Sequence, residues 1–279
     1  MDRPIDSPVR TVEVVGILNV TPDSFSDGGQ HATLSGAIER GFEMIAEGAD
    51  WVDVGGESTR PGSQGVSVEE ELRRVLPVVE ALVKEGVAVS IDTSKTEVAK
   101  RALQAGARVV NDVGALRADG MIEAVAEAGA GAVLMHMQGT PRTMQDAPQY
   151  GNVVEDVRAF LEERLACVRA AGISPIWLDP GIGFGKTLQQ NLVLLRELER
   201  FRAPGVGVYV GASRKRFIGQ INDVTDANAR LAGSLGAAAA AVAAGADVIR
   251  VHDVAETRRM LNVYLAVAGA PNPSLGAHA

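Results

Sequence analysis

The chain has almost no cysteine: Cys167 is the only one in 279 residues. A single thiol excludes a disulfide framework and a cysteine-built metal cluster, and it fits a reducing cytoplasm. Long apolar runs are missing too. The longest, Leu235 to Ala246, is mostly alanine and glycine and stops at Asp247, well short of the roughly 20 residues a membrane helix needs. It reads as a close-packed helix inside a protein. A basic excess is also absent: 27 Lys and Arg against 35 Asp and Glu leave a net charge of -8. That balance argues against a general nucleic-acid binder or a protein of anionic membrane surfaces, so any anionic ligand needs a local basic pocket. The first residues, Met1 to Asp6, carry acids and lack the apolar core of a signal peptide, so no export is expected.

What is present is a repeating pattern in a chain that is 46% hydrophobic, enough to bury one large core. Near-continuous apolar runs end in polar residues and are followed by helical patterns. Strands are expected at Val14–Leu18, Trp51–Val54, Val87–Ile91, Val109–Val110, Ala132–Leu134, a run ending at Asp179, Val206–Val210 and Asp247–Val251. Such runs mark strands buried on both faces, as parallel strands are. Ser67 and Glu70 form the pattern of a capping box before a helix that Pro77 should kink. Val154, Val157, Leu161, Leu165 and Val168 give another helix its apolar face. Eight strand-helix units without a break in composition predict a single-domain (β/α)8 TIM barrel over residues 13–268, between a flexible leader 1–12 and a flexible tail 269–279. An open doubly wound sheet of the same units is the alternative.

Asn19, Asp53, Asp92, Asn111, His136, Asp179, Ser213, Arg250 and His252 all fall at or just past the end of a strand. In a parallel barrel these ends share the face that carries active sites. Each could instead start the helix that follows it, a reading that suits Asp53 and His136 best. It suits Arg250 poorly, because a long cation within a strand needs a partner or an anionic ligand. Asp92, Asn111, Asp179 and Lys215 form an inventory for reading the edge of a polar heterocycle. Asn19, Thr59, Arg250 and His252 suit a phosphate or diphosphate with Mg2+. Ser213 is expected to open a helix whose first N–H groups face another anion.

The stretch Asp179-Pro180-Gly181-Ile182-Gly183-Phe184-Gly185-Lys186-Thr187 delivers a carboxylate into three glycines, where backbone can approach a flat ligand. It is not a P-loop, because Pro180 stands where a glycine is required, and its glycines miss the dinucleotide spacing by one residue. The chain also lacks a nucleophile elbow, a His-Glu-x-x-His and a His/Cys cluster. Covalent hydrolysis and tightly bound transition metals lose ground, and charge stabilisation around an anionic leaving group gains it.

Taken with Gly16–Gly29, Gly55–Gly62, Ser90–Ser94, Asn111-Asp112, Met135–Gly139, Ser213–Lys215 and Arg250–His252, this motif resembles the dihydropteroate synthase family from about Glu13 to Val267. The resemblance implies a barrel, usually a homodimer, that condenses 6-hydroxymethyl-7,8-dihydropterin diphosphate with 4-aminobenzoate, a site that sulfonamides mimic their way into. Matched by motif position, Asp92, Asn111, Asp179 and Lys215 would bind the pterin, with Met135, Gly183 and Phe184 beside its ring. Asn19 would hold Mg2+ on the diphosphate, with Thr59, Arg250 and His252 around it, while Ser213, Arg60 and Pro61 would shape the aminobenzoate site. Phe25 and Asp27 of the first loop, with Lys215 and Asp92, would serve the chemistry, in which diphosphate leaves before the aromatic amine attacks. Two rivals are a pterin-binding methyltransferase barrel and a catalytically silent pterin binder. The Thr21–Asp27 loop and Ser213–Lys215 speak against the first, and the intact anion and loop residues against the second.

Overall fold

The computed structural model describes residues 12–21, 29–58, 65–140 and 142–269, the side chains of 29–33 excepted. Phe25, Asp27, Thr59, Arg60 and Pro61 lie outside the described residues, as do the expected leader through residue 11 and the expected tail from residue 270.

Eight parallel strands close into a barrel in sequence order, β1 to β8. They are β1 (Glu13–Asn19), β2 (Trp51–Gly55), β3 (Val89–Asp92), β4 (Val109–Asp112), β5 (Gly131–Met135), β6 (Ile176–Asp179), β7 (Val206–Val210) and β8 (Val248–Val251). Closure is direct: β1 pairs with β8, Val15 beside Arg250. The open-sheet alternative is thereby excluded. Among the described residues the helices are α1 (Gly29–Ala46), α2 (Val68–Lys84), α3 (Thr96–Gln104), α4 (Met121–Glu127), α5 (Val153–Ala170), α6 (Leu188–Arg196), α7 (Arg216–Asn222), α8 (Leu231–Ala243) and α9 (Val254–Val267). No helix among them is long and apolar enough to cross a membrane.

The strands are apolar on both faces because the barrel has two cores. Successive side chains of a strand point to opposite faces. One row, including Val14, Val52, Val54, Ile91, Val110, Leu134, Leu178, Val208 and Ile249, packs outward against the helices. The other row contributes Val15, Trp51, Ala88, Val109, Val133, Trp177, Tyr209 and Val248 to a separate cluster in the interior. Trp51 and Trp177 fill its middle with ring centroids 5.6 Å apart. Trp177 fits because its neighbour in register is Gly207, where a Cβ would come within 2.5 Å of the indole.

The helices meet the expectations in part. Ser67 caps α2 by accepting from the Glu70 N–H, but Glu70 turns its own carboxylate to Arg73 and Arg74, leaving the box half made. The complete box belongs to Thr187 and Gln190 at the start of α6. α2 continues through Pro77. On α5 the five expected apolar residues are the five buried ones.

Candidate active site

The period-two rule that builds the interior core also builds the site. Two residues beyond the interior layer, on the same face, stand Asp53, Ser90, Asn111, Met135, Asp179 and Arg250, with Asn19 and Asp92 one step further on their strands. A polar ring therefore sits on an aromatic and aliphatic floor at the C-terminal mouth of the barrel. Active sites of such barrels occupy this face.

Arg250 is the ring's centre of charge. Its Nε lies 2.6 Å from Asp53 Oδ2 and its second terminal nitrogen 2.7 Å from Asp92 Oδ2. The partner that a strand cation demands is thus supplied by two carboxylates. Burial works against the guanidinium's charge, but Asp53 and Asp92 outweigh it and raise its pKa. Asp53 is fully buried and accepts also from Ser90 Oγ at 2.5 Å and Asn111 Nδ2 at 2.9 Å. It is the hub of the ring, not the cap of a following helix. Burial pushes the Asp92 carboxyl up to about 7, against the downward pull of Arg250 and with help from Asp53.

On the opposite side, Asp179 is buried and its Oδ1 accepts from the Gly181 N–H at 2.7 Å. Burial raises its pKa, and Lys215 is the largest influence pulling it back down. Lys215 reaches in from the connection after β7, donates to the Ile182 carbonyl and stands 4.3 Å from the centre of the Phe184 ring. Burial lowers its pKa to about 8, opposed by Asp179. Phe184 packs with Met135, Met137 and Met144, so an apolar wall stands beside the buried carboxylate. Gly181 has φ 71°, and a Cβ there would lie 1.9 Å from the His136 carbonyl oxygen. Only glycine lets this turn pass so close to the neighbouring connection.

Ser213 and His252 meet at the third edge: Ser213 Oγ lies 3.0 Å from His252 Nδ1 and accepts from the His252 backbone N–H at 3.2 Å. Ser213 does not open a helix. α7 begins at Arg216, and the Arg214 N–H is already given to Ser234 Oγ.

The expected Mg2+ is not supported. Among the described residues, no group of three or more His, Cys, Asp or Glu side chains is placed to hold a metal ion. Asn19 brings one amide oxygen at the half-buried end of β1. The nearby carboxylates of Asp53 and Asp92 are committed to Arg250, whereas a hard divalent cation wants several oxygen ligands of its own.

The expected residues that the structure describes thus fall into one mouth: Asn19, Asp92, Asn111, Met135, Asp179, Gly183, Phe184, Ser213, Lys215, Arg250 and His252. Reading by strand ends missed Asp53 as the hub and Ser90 as its partner. The signal was available in the alternation from Trp51 to Asp53 and from Ser90 to Asp92, which sets these polar groups on the same inward face as Arg250.

The arrangement can hold a flat, polar, N–H-bearing ring between buried carboxylates and an apolar wall, with cations nearby for an anionic tail. The family model described as "Pterin binding enzyme" matches residues 15–252. The dihydropteroate synthase of Escherichia coli (strain K12) is 49% identical over 260 residues, 92% of each chain. Among solved structures, Xanthomonas albilineans dihydropteroate synthase with 4-aminobenzoic acid superposes with a TM-score of 0.87 at 48% identity, covering 95% of both chains. The Burkholderia cenocepacia dihydropteroate synthase complexed with 7,8-dihydropteroate gives a TM-score of 0.84 at 43% identity, covering 95% of this chain and 93% of that one.

Proposed function

The chain belongs to the dihydropteroate synthase family of pterin-binding enzymes, and from that premise we propose how its own residues divide the work. The reaction joins 6-hydroxymethyl-7,8-dihydropterin diphosphate to 4-aminobenzoate. The bond from the pterin methylene to the diphosphate oxygen breaks with its electron pair on diphosphate. The amine nitrogen forms the new C–N bond and loses a proton, giving 7,8-dihydropteroate.

The buried Asp179 beside the wall of Phe184 and Met135 carries this reading. Its carboxylate accepts from two parallel N–H groups of the pterin, a pairing stronger than neutral hydrogen bonds. Asn111 and Asp92 read the far edge of the ring, and Gly183 allows the backbone to come close. Lys215, at its lowered pKa, balances Asp179 and donates to the ring. Arg250 holds Asp92 in place and brings positive charge to the side where diphosphate departs, with His252 and Ser213 next to it. Thr59 belongs to that anion's surroundings, Ser213, Arg60 and Pro61 to the aminobenzoate site, and Phe25 and Asp27 to the chemical step; these six assignments rest on the motif resemblance. No nucleophile of the protein is needed, since orientation and charge stabilisation carry the barrier.

We also infer a homodimer, for which Ile221 of α7 and Val263 and Val267 of α9 offer exposed apolar surface, and a cytoplasmic location that suits the lone exposed Cys167. Light scattering on the purified protein tests the first. The pterin assignment is tested by calorimetric titration of Asp179→Asn with the pterin diphosphate. Affinity should fall at least about a hundredfold, since a charge-assisted pair to a buried group is lost; unchanged affinity would refute the role.

A further inference from the structure

Lys186 closes the glycine-rich turn after β6, and although its side chain is an ammonium, only 3% of the residue is exposed. Its Nζ lies 2.9 Å from the Phe184 carbonyl, 3.2 Å from the His136 carbonyl and 3.0 Å from His136 Nδ1. Three N–H donors thus face three acceptors. While Lys186 carries its charge, that match requires a neutral His136 with its proton on Nε2, because an ammonium has nothing to accept with.

The surroundings enforce the same state. Phe160 meets the His136 ring edge-on, with centroids 5.1 Å apart, and Tyr150 lies at 6.0 Å. Burial first, then the charge of Lys186, lowers His136 to about 3, against a hydrogen bond to its own backbone that favours the charged ring and with a smaller push from Arg117 of the connection after β4. Burial lowers Lys186 itself to about 7; Asp179 on β6 favours its charge and Lys215 after β7 opposes it. Two further bonds tie the same pair of connections: Tyr150 Oη donates to the Gly185 carbonyl at 2.7 Å and Gln145 Nε2 to the Gly183 carbonyl at 3.0 Å. Phe184, whose carbonyl Lys186 holds, packs its ring with Met135 and under Lys215.

We propose that Lys186 is a positioning residue: held against an Nε2-protonated His136, it locks the connection after β6 onto the one after β5 and so sets the wall of Phe184 and Met135 that receives the pterin. Lys186 touches no reacting atom. The inference rests on reading the slot at Asp179 as the pterin site, and its test separates the two.

Steady-state kinetics of Lys186→Met should show KM for the pterin diphosphate raised at least about tenfold, with kcat and KM for aminobenzoate within about twofold. A merely structural loss would lower the active fraction and leave both KM values in place, and that result, or an unchanged pterin KM, overturns the proposal. Histidine 15N spectra of the unmodified protein give an independent reading that does not depend on the variant folding. At pH 6 His136 should show a bare Nδ1 and a protonated Nε2, and in Lys186→Met its titration should move upward. A proton on Nδ1 at pH 6 overturns the proposal as well. Asp179→Asn serves as the control. Pterin binding retained there sinks the slot reading, whereas binding lost there but unaltered in Lys186→Met sinks this inference alone.

Discussion

Replacing Arg250 by methionine would keep most of the side-chain volume and remove the one cation that Asp53 and Asp92 share. Two carboxylates would then face each other across the ring, one of them fully buried. Stranding a buried charge by deleting its partner costs about 3–5 kcal/mol. The stranded pair has one escape, which is to bind a proton, and each pH unit below the starting point makes that escape cheaper by about 1.4 kcal/mol. Asp92, already raised to about 7 with Arg250 present, is the group that would take it. The sign follows: its folded-state pKa lies above the ordinary value, so the folded protein binds more protons than the unfolded chain and gains stability as pH falls. Arg250→Met should therefore lose about 3–5 kcal/mol at pH 8, and about 1.4 kcal/mol of that loss should be recovered by pH 6, because the variant gains about 2.7 kcal/mol over the two pH units while the unmodified protein, with Asp92 at about 7, gains about half of that. Urea unfolding of both proteins at the two pH values measures this directly. A pH-independent loss below about 1 kcal/mol would show that Asp53 and Asp92 do not depend on Arg250 for their compensating charge.

Two further outcomes are expected. With Lys215 lowered to about 8 by burial, kcat/KM for the pterin diphosphate should fall about tenfold per pH unit above 8, as the free enzyme loses that proton. Lys215→Arg, which keeps its charge, should show no limb there; a wild-type profile flat to pH 9.5 would remove Lys215 from the slot. Tyr209 is buried among the interior core residues, and its hydroxyl has no partner among the described residues. Tyr209→Phe should then raise the unfolding free energy by about 1 kcal/mol, since an unpaired buried donor costs about that much or more, and a loss of similar size would mean that the hydroxyl is bonded.

The strands and the catalytic face were legible because their signals are local. An apolar run ending in a polar residue marks a strand end wherever it occurs, and eight such ends converge once the barrel closes. The helix face of Val154, Val157, Leu161, Leu165 and Val168 was equally plain, since 3.6-residue spacing needs no partner to be read. What escaped notice depends on which residues meet across the barrel. Asp53 could pass for a helix cap until β8 brought Arg250 beside it, 197 positions away in sequence. Lys186 reads as the tail of a glycine loop, yet its burial against His136 is decided by how two connections stack. The seven-residue α7 is too short for a periodic signal, so the sequence pattern places its start early, at Ser213. Mg2+ was expected from oxygen-bearing residue types and from the family resemblance, and the pairing of Asp53 and Asp92 with Arg250 commits the carboxylates near Asn19 elsewhere.

The slot we propose from these residues is where a pterin diphosphate loses diphosphate to an aromatic amine. It is tested most directly by following diphosphate release from the purified protein with and without 4-aminobenzoate, and by identifying the pterin product. Release that depends on aminobenzoate, with 7,8-dihydropteroate formed in equal amount, is the predicted result. Binding of the pterin diphosphate without release would contradict the account.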